Sequence, residues 1–329
     1  MQLKQERINF RLRRDFGEVM NVAMMFIHQN FKELVKNILF FLSPILLIIS
    51  VLTSYYNNLT PEAFSNEIFI NTQTTIVLII FLSFWIGHSI LLTVSFAFLL
   101  SYIKGETNDF SLQFIWNKVK KVFWRSFINI FFSFFVLILS SIIIFFFLFF
   151  LGLMVENFTN NFKIFAFIIA IILFLLIVLL TSLLAAVINF SFFISLEKET
   201  NYFKSLIVSI KIVFRFWKET AIIQTVSLGL VFSLFLFPFL FLFFYALTQH
   251  IFTSHSIQLL EFIVRTIATI LFLSIMFLAG AFNIIIMASQ YFNLIEKMES
   301  VGLMIQIENL HHINYKSFNT LADLDEEGF

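Results

Sequence analysis

"SFINIFFSFFVLILSSIIIFFFLFFLGLM", residues 126–154, contains no acidic, basic or histidine side chain. About 18 to 20 apolar residues in a helix, at about 1.5 Å of rise each, suffice to cross a hydrocarbon layer of roughly 30 Å. The stretch is apolar throughout instead of alternating, which excludes the strand of a transmembrane barrel and leaves a membrane helix.

The same reading extends along the chain. Runs near 37–55, 75–100, 126–154, 162–194, 221–248 and 262–290 all reach spanning length. They predict an all-α integral membrane protein of six transmembrane helices, folded as three hairpins. The third and fourth runs are long enough that tilt is expected. Composition agrees, with 60% hydrophobic and 12% charged residues against roughly half and a quarter in soluble domains. Residues 1–310 read as a single polytopic membrane domain, and 311–329, which carries Asp323, Asp325, Glu326 and Glu327, as a disordered acidic tail. Because the first apolar run begins near residue 37 and is full length, no cleavable signal peptide is expected.

Lysine and arginine are retained on the cytoplasmic side during insertion. Of the 21 here, only Lys163 and Arg265 fall on the other side of the proposed spans. Both termini are therefore expected to be cytoplasmic, in a bacterial inner membrane.

The segment before the first span, "FRLRRDFGEVMNVAMMFIHQNFKELVKN" (10–37), begins with an arginine cluster. Asp15 and Glu18 make a capping box for a helix starting at Phe16. Phe16, Val19, Met20, Ala23, Ile27, Phe31, Leu34 and Val35 then share one face, which predicts an amphipathic helix lying in the cytoplasmic interface. Arg7, Arg11, Arg13 and Arg14 would meet anionic headgroups, each contributing on the order of 1 kcal/mol.

Similar segments precede the third and fifth spans: "NDFSLQFIWNKVKKVFWRSF" (108–127) and "NYFKSLIVSIKIVFRFWKET" (201–220). Their lipid contacts are assigned to Lys120, Lys121, Arg125, Lys211 and Arg215. A spacing of 94 residues relates Ser111 to Ser205 and Lys121 to Arg215, with the Phe-Trp pairs one residue out of step. Either three repeated units or independent gathering of basic and aromatic residues at one interface gives this pattern. Residues 291–310, with Leu294, Met298, Val301 and Ile305 on one face, predict a further surface helix.

Chemistry-bearing patterns are scarce. With no cysteine there is no disulfide and no thiolate metal site, and no phosphate loop, H-E-x-x-H or G-x-S-x-G occurs. His250, His255 and Glu261, and the pair His311-His312, lack metal-ligand spacing. No cofactor or metal is expected. His88 is the one ionisable residue near the middle of a span, serving either helix packing beside Ser83 and Gly87 or a proton or substrate role. Asn129, Asn189, Gln224 and Asn283 read as interhelical polar contacts. A polar cavity, if formed, is expected at His88, Asn189 and Asn283. Pro44 and Pro238 are placed to bend the first and fifth spans.

Two segments carry a family resemblance: "SLIVSIKIVFRFW" (205–217) ahead of a span, and "QYFNLIEKMESVGLMIQIENL" (290–310) after the last one. Across most of residues 16–310 the chain resembles the bacterial multi-span proteins grouped with the membrane domain of glycerophosphoryl diester phosphodiesterases. Some relatives fuse that portion to a soluble phosphodiesterase barrel. No part of this sequence corresponds to the barrel, so the resemblance does not carry the enzyme activity over.

The expected function is accordingly non-enzymatic: an accessory or scaffold associating with anionic lipid, or with a protein partner through the surface helices or acidic tail. The competing reading is a transporter or exporter of a lipid-like or amphiphilic solute. Nucleic acid is excluded as a partner because every basic cluster abuts a span, where headgroups are the nearer anion.

Overall fold

A computed structural model describes residues 7–57, 66–106, 110–156, 163–249 and 258–300. Among the described residues there are seven helices and no strand: α1 (Phe16–Asn57), α2 (Asn66–Lys104), α3 (Leu112–Glu156), α4 (Lys163–Glu197), α5 (Tyr202–Arg215), α6 (Trp217–Gln249) and α7 (Gln258–Glu299). Five of them, α1, α2, α3, α4 and α7, are long and apolar enough to cross a membrane. The fifth proposed span falls on α6, whose phenylalanine-rich second half lies largely outside the residues whose side chains are described. The proposed acidic tail and the histidines at 250, 255, 311 and 312 also lie outside the described residues.

The first and last long helices pack on each other, and α7 is the hub, touching α1, α2, α4 and α6. Long apolar side chains turned away from this core, such as Phe145 and Phe174 at 64% and 61% exposure, form the outer surface expected against lipid acyl chains.

Among the described residues, three of the segments predicted as surface helices are not separate elements. α1 runs unbroken for 42 residues, about 63 Å at 1.5 Å per residue. Its first half and the first proposed span share one apolar stripe: Val19, Ala23, Phe26, Leu34, Ile38, Leu42, Leu46 and Ile49 are all buried. Much of the face expected to lie on lipid is thus covered by protein, while Phe16 and Phe31 of that face stay exposed. Likewise the segment before the third span is the first part of α3, and residues 291–299 are the end of α7, with Tyr291, Phe292 and Leu294 buried in the bundle. Val301 and Ile305 lie outside the described residues.

Only the segment before the fifth span is a helix of its own. α5 ends at Phe216, whose backbone (φ −121°, ψ 35°) turns the chain into α6. The helix presents Tyr202, Ser205, Ser209, Ile212 and Val213 to the protein, while Phe203, Ile207 and Phe214 point outward beside the exposed Lys204 and Lys211. The outward side of α5 thus mixes apolar and basic side chains. At the corresponding Phe123-Trp124, α3 continues straight.

At the end of the bundle carrying most of the basic residues, α2, α4 and α7 each exit through a left-handed residue: Gly105 (φ 70°), Glu199 (φ 53°) and Ser300 (φ 52°). Such a residue ends a helix by directing the next amide back onto its last turn. Gly105 and Glu199 stand at the same separation as Ser111 and Ser205.

Candidate functional site

At the basic end, residues 7–15 form an arm that crosses the bundle. The backbone N–H of Ile8 donates to the Tyr102 hydroxyl at 2.9 Å, and Phe10, 2% exposed, sits edge-on to Phe26, Tyr102 and Phe292. Asp15 and Glu18 form the capping box at the start of α1, with the Glu18 N–H donating to Asp15 Oδ1 at 2.9 Å and the Asp15 N–H to Glu18 Oε2 at 3.2 Å.

The arginines of this arm are held by the protein. Arg11 Nη2 lies 2.9 Å from Glu197 Oε1, and Glu197 Oε2 accepts the Tyr291 hydroxyl at 2.8 Å. Arg7 lies over the Tyr102 ring at 5.1 Å, and Arg13 reaches the Ser300 hydroxyl. The Arg14 N–H donates to Asn293 Oδ1 at 2.8 Å, and its guanidinium donates to the Asn9 and Phe10 carbonyls. Burial lowers the Arg14 pKa from its ordinary value, with Glu18 opposing. Arg125 faces Glu199 at 3.7 Å, Arg215 lies over Phe216 at 5.7 Å, and Lys118 pairs with Glu106 at 2.6 Å. The hydrogen bond from Lys118, with help from Lys104 and Ser101, holds the Glu106 carboxyl below the usual carboxylate range. Lys121 and Lys211 are exposed.

Lys120 differs from these in lining a cavity. Its ammonium lies 5.6 Å over the Trp116 ring at the mouth of a space of about 740 Å³ wedged between α1, α2 and α3. Phe40, Phe41, Pro44, Ile90 and Phe123 form its apolar walls, and Gln113, Trp116 and Trp124 stand toward the basic end. Phe41 stacks on Trp116 at 5.6 Å. The wall is almost wholly hydrocarbon and its rim is cationic and aromatic.

A second cavity, of about 330 Å³, opens between α2, α3 and α4. His88 and Asn189 both line it, with Trp85, Ser133, Phe134 and Phe192. Asn283 does not: it accepts a hydrogen bond from Ser227 at 2.7 Å in the α6–α7 contact. The rotation of α2 explains His88's position. Gly87 faces the opposite side, where a Cβ would come within 3.0 Å of Ile45 and 3.2 Å of Phe277, so α1 and α7 pack too closely there for a larger residue. Trp85 stacks on Phe131 at 5.3 Å, and its indole N–H is buried without a partner. Ser133 is bonded to the Tyr202 hydroxyl at 3.1 Å, which ties the cavity to α5.

Other polar residues inside helices behave unevenly. Asn129 and Gln224 are 2% and 0% exposed, yet the Asn129 amide nitrogen and both Gln224 amide atoms have no partner. Asn37, which sequence reasoning passed over as the first residue of a span, is fully buried and donates to the Glu33 carbonyl at 2.8 Å and the Phe110 carbonyl at 3.1 Å, fastening α1 to the start of α3. Nothing in its local sequence distinguishes it from a solvated interface asparagine. Among the described residues, no cluster of three or more metal-ligating acidic or histidine side chains occurs.

No protein family, curated protein or solved structure matches the chain.

Proposed function

We propose that the chain is a non-enzymatic multi-pass membrane protein that holds anionic phospholipid at its cytoplasmic face, acting as an accessory or scaffold there. It crosses the bacterial inner membrane six times with both termini cytoplasmic, α6 being the remaining span. The observation that supports this reading is the cavity beside Lys120. Its hydrocarbon wall suits acyl chains, Trp116 and Trp124 suit the interfacial belt, and the Lys120 ammonium supplies the counter-charge for a phosphate. The resemblance to phosphodiesterase membrane domains fits a lipid-handling membrane portion without an enzymatic barrel.

Most arginines of the amino-terminal arm already have partners in the protein, so the lipid role falls to the lysines of α3 and α5, namely Lys120, Lys121 and Lys211. The test is lipid mass spectrometry on protein extracted in native-lipid nanodiscs. Lys120→Gln is expected to reduce retained anionic lipid relative to zwitterionic lipid by about fivefold, the equivalent of roughly 1 kcal/mol for one interfacial charge. Unchanged retention in that variant would remove the basis of the reading.

A further inference from the structure

The second cavity lies away from the basic end: sixteen residues separate His88 from Lys104 on α2, about 24 Å along the helix axis. No acidic side chain, lysine or arginine lines the cavity. An anionic head would therefore be desolvated there without a counter-charge, which is strongly unfavourable.

What the cavity does offer is unmatched N–H donors. The Trp85 ring lines the wall, but its own indole N–H is buried away from the cavity. The side chains of His88 and Asn189 make no hydrogen bond among the described residues. A neutral imidazole presents one N–H and a carboxamide two. In apolar surroundings these groups favour an oxygen acceptor brought in from outside.

We propose that this pocket binds a neutral, membrane-soluble amphiphile through an uncharged oxygen acceptor, held by His88 and Asn189 beside the Trp85 ring. At about 330 Å³, the space holds on the order of ten water-sized groups at roughly 30 Å³ each, enough for one head but not a tail. The tail leaves sideways past Phe81, Phe84 and Leu137, which line the mouth and are exposed. Two kinds of membrane lipid carry such an uncharged oxygen head: quinones and neutral glycerides. The proposal rests on α2, α3 and α4 crossing the bilayer, and not on the anionic site beside Lys120.

The test uses the full chain in nanodiscs with Trp85 as the sole tryptophan, made by Trp116→Phe, Trp124→Phe and Trp217→Phe. Its fluorescence is titrated with a decyl-substituted benzoquinone and, separately, with a diacylglycerol bearing brominated chains. Saturable quenching by either probe is the expected result, and the probe that saturates identifies the source. His88→Ala and Asn189→Ala should each raise the half-saturating concentration about tenfold, the equivalent of losing one hydrogen bond. His88→Gln, which keeps an N–H donor, should restore part of the loss. Lys120→Gln should leave the titration unchanged, which separates this site from the anionic one. The proposal is overturned if neither probe saturates, or if Asn189→Ala and His88→Ala titrate like the parent while melting at the parent's temperature. Should His88→Ala fail to fold, Asn189→Ala and His88→Gln decide the matter.

Discussion

Arg11 and Tyr291 share one carboxylate: the guanidinium bonds Glu197 Oε1 at 2.9 Å while the phenol donates to Oε2 at 2.8 Å. Three segments far apart in sequence are thereby joined at the basic end of the bundle. Hydrogen bonds to a charged group contribute about 1.5–3 kcal/mol, more than neutral ones. Glu197→Ala is expected to lower stability by about 2–4 kcal/mol, since it orphans both donors, and Arg11→Met by less. The pair should be non-additive in a double-mutant cycle read by thermal unfolding in detergent. Full additivity would show that the contact carries no coupling.

Gly87 lies where α2 packs tightly against α1 and α7. A Cβ there would meet Ile45 at 3.0 Å and Phe277 at 3.2 Å. Overpacking of this kind costs about 1–3 kcal/mol. Gly87→Ala should lower the apparent melting temperature measurably and Gly87→Leu should lower it further. A leucine variant as stable as the parent would refute the close packing.

The Glu106–Lys118 pair predicts an acid-sensitive contribution to stability. The Glu106 carboxyl is held below its ordinary value of 4.5, chiefly by the hydrogen bond from Lys118. A carboxylate with a depressed folded-state pKa stabilises the fold above its unfolded value and loses that contribution as pH falls. The parent should therefore exceed Glu106→Gln in stability near neutral pH. The two curves should converge as pH drops below about 4.5. Parallel curves across that window would show that the pair contributes nothing.

Membrane orientation can be read without background labelling, because the chain has no cysteine. Single cysteines at Asn58 and His255 should react with an impermeant maleimide added outside intact cells. Cysteines at Lys120 and Lys211 should react only after lysis. Labelling of Lys120→Cys from outside would reverse the proposed topology.

Five long apolar helices were legible because long uninterrupted apolar runs admit few other structures. Less legible was what covers each apolar face. The stripe from Val19 to Leu34 has the same periodicity whether lipid or protein lies against it, and here Val19, Ala23, Ile27 and Leu34 are buried while Phe31 is exposed. Partner charges were hidden for a similar reason: Arg11 and Glu197 are 186 positions apart, and only the helix arrangement brings them together. His88 and Asn189 could be named as polar residues in spans. Their convergence on one cavity, with Asn283 left out, depends on how α2, α4 and α7 are rotated about their axes, which a single sequence leaves open.

The arm's reach also orders events during synthesis. Arg14 docks on Asn293, a partner 279 positions downstream. At ribosomal speeds of about 5–20 residues per second, tens of seconds pass between the two emerging. The arm's contacts with Phe26, Tyr102 and Glu197 have partners well before that, whereas those with Phe292 and Asn293 wait for the final helix, so the strap is fastened from its early partners toward its late ones.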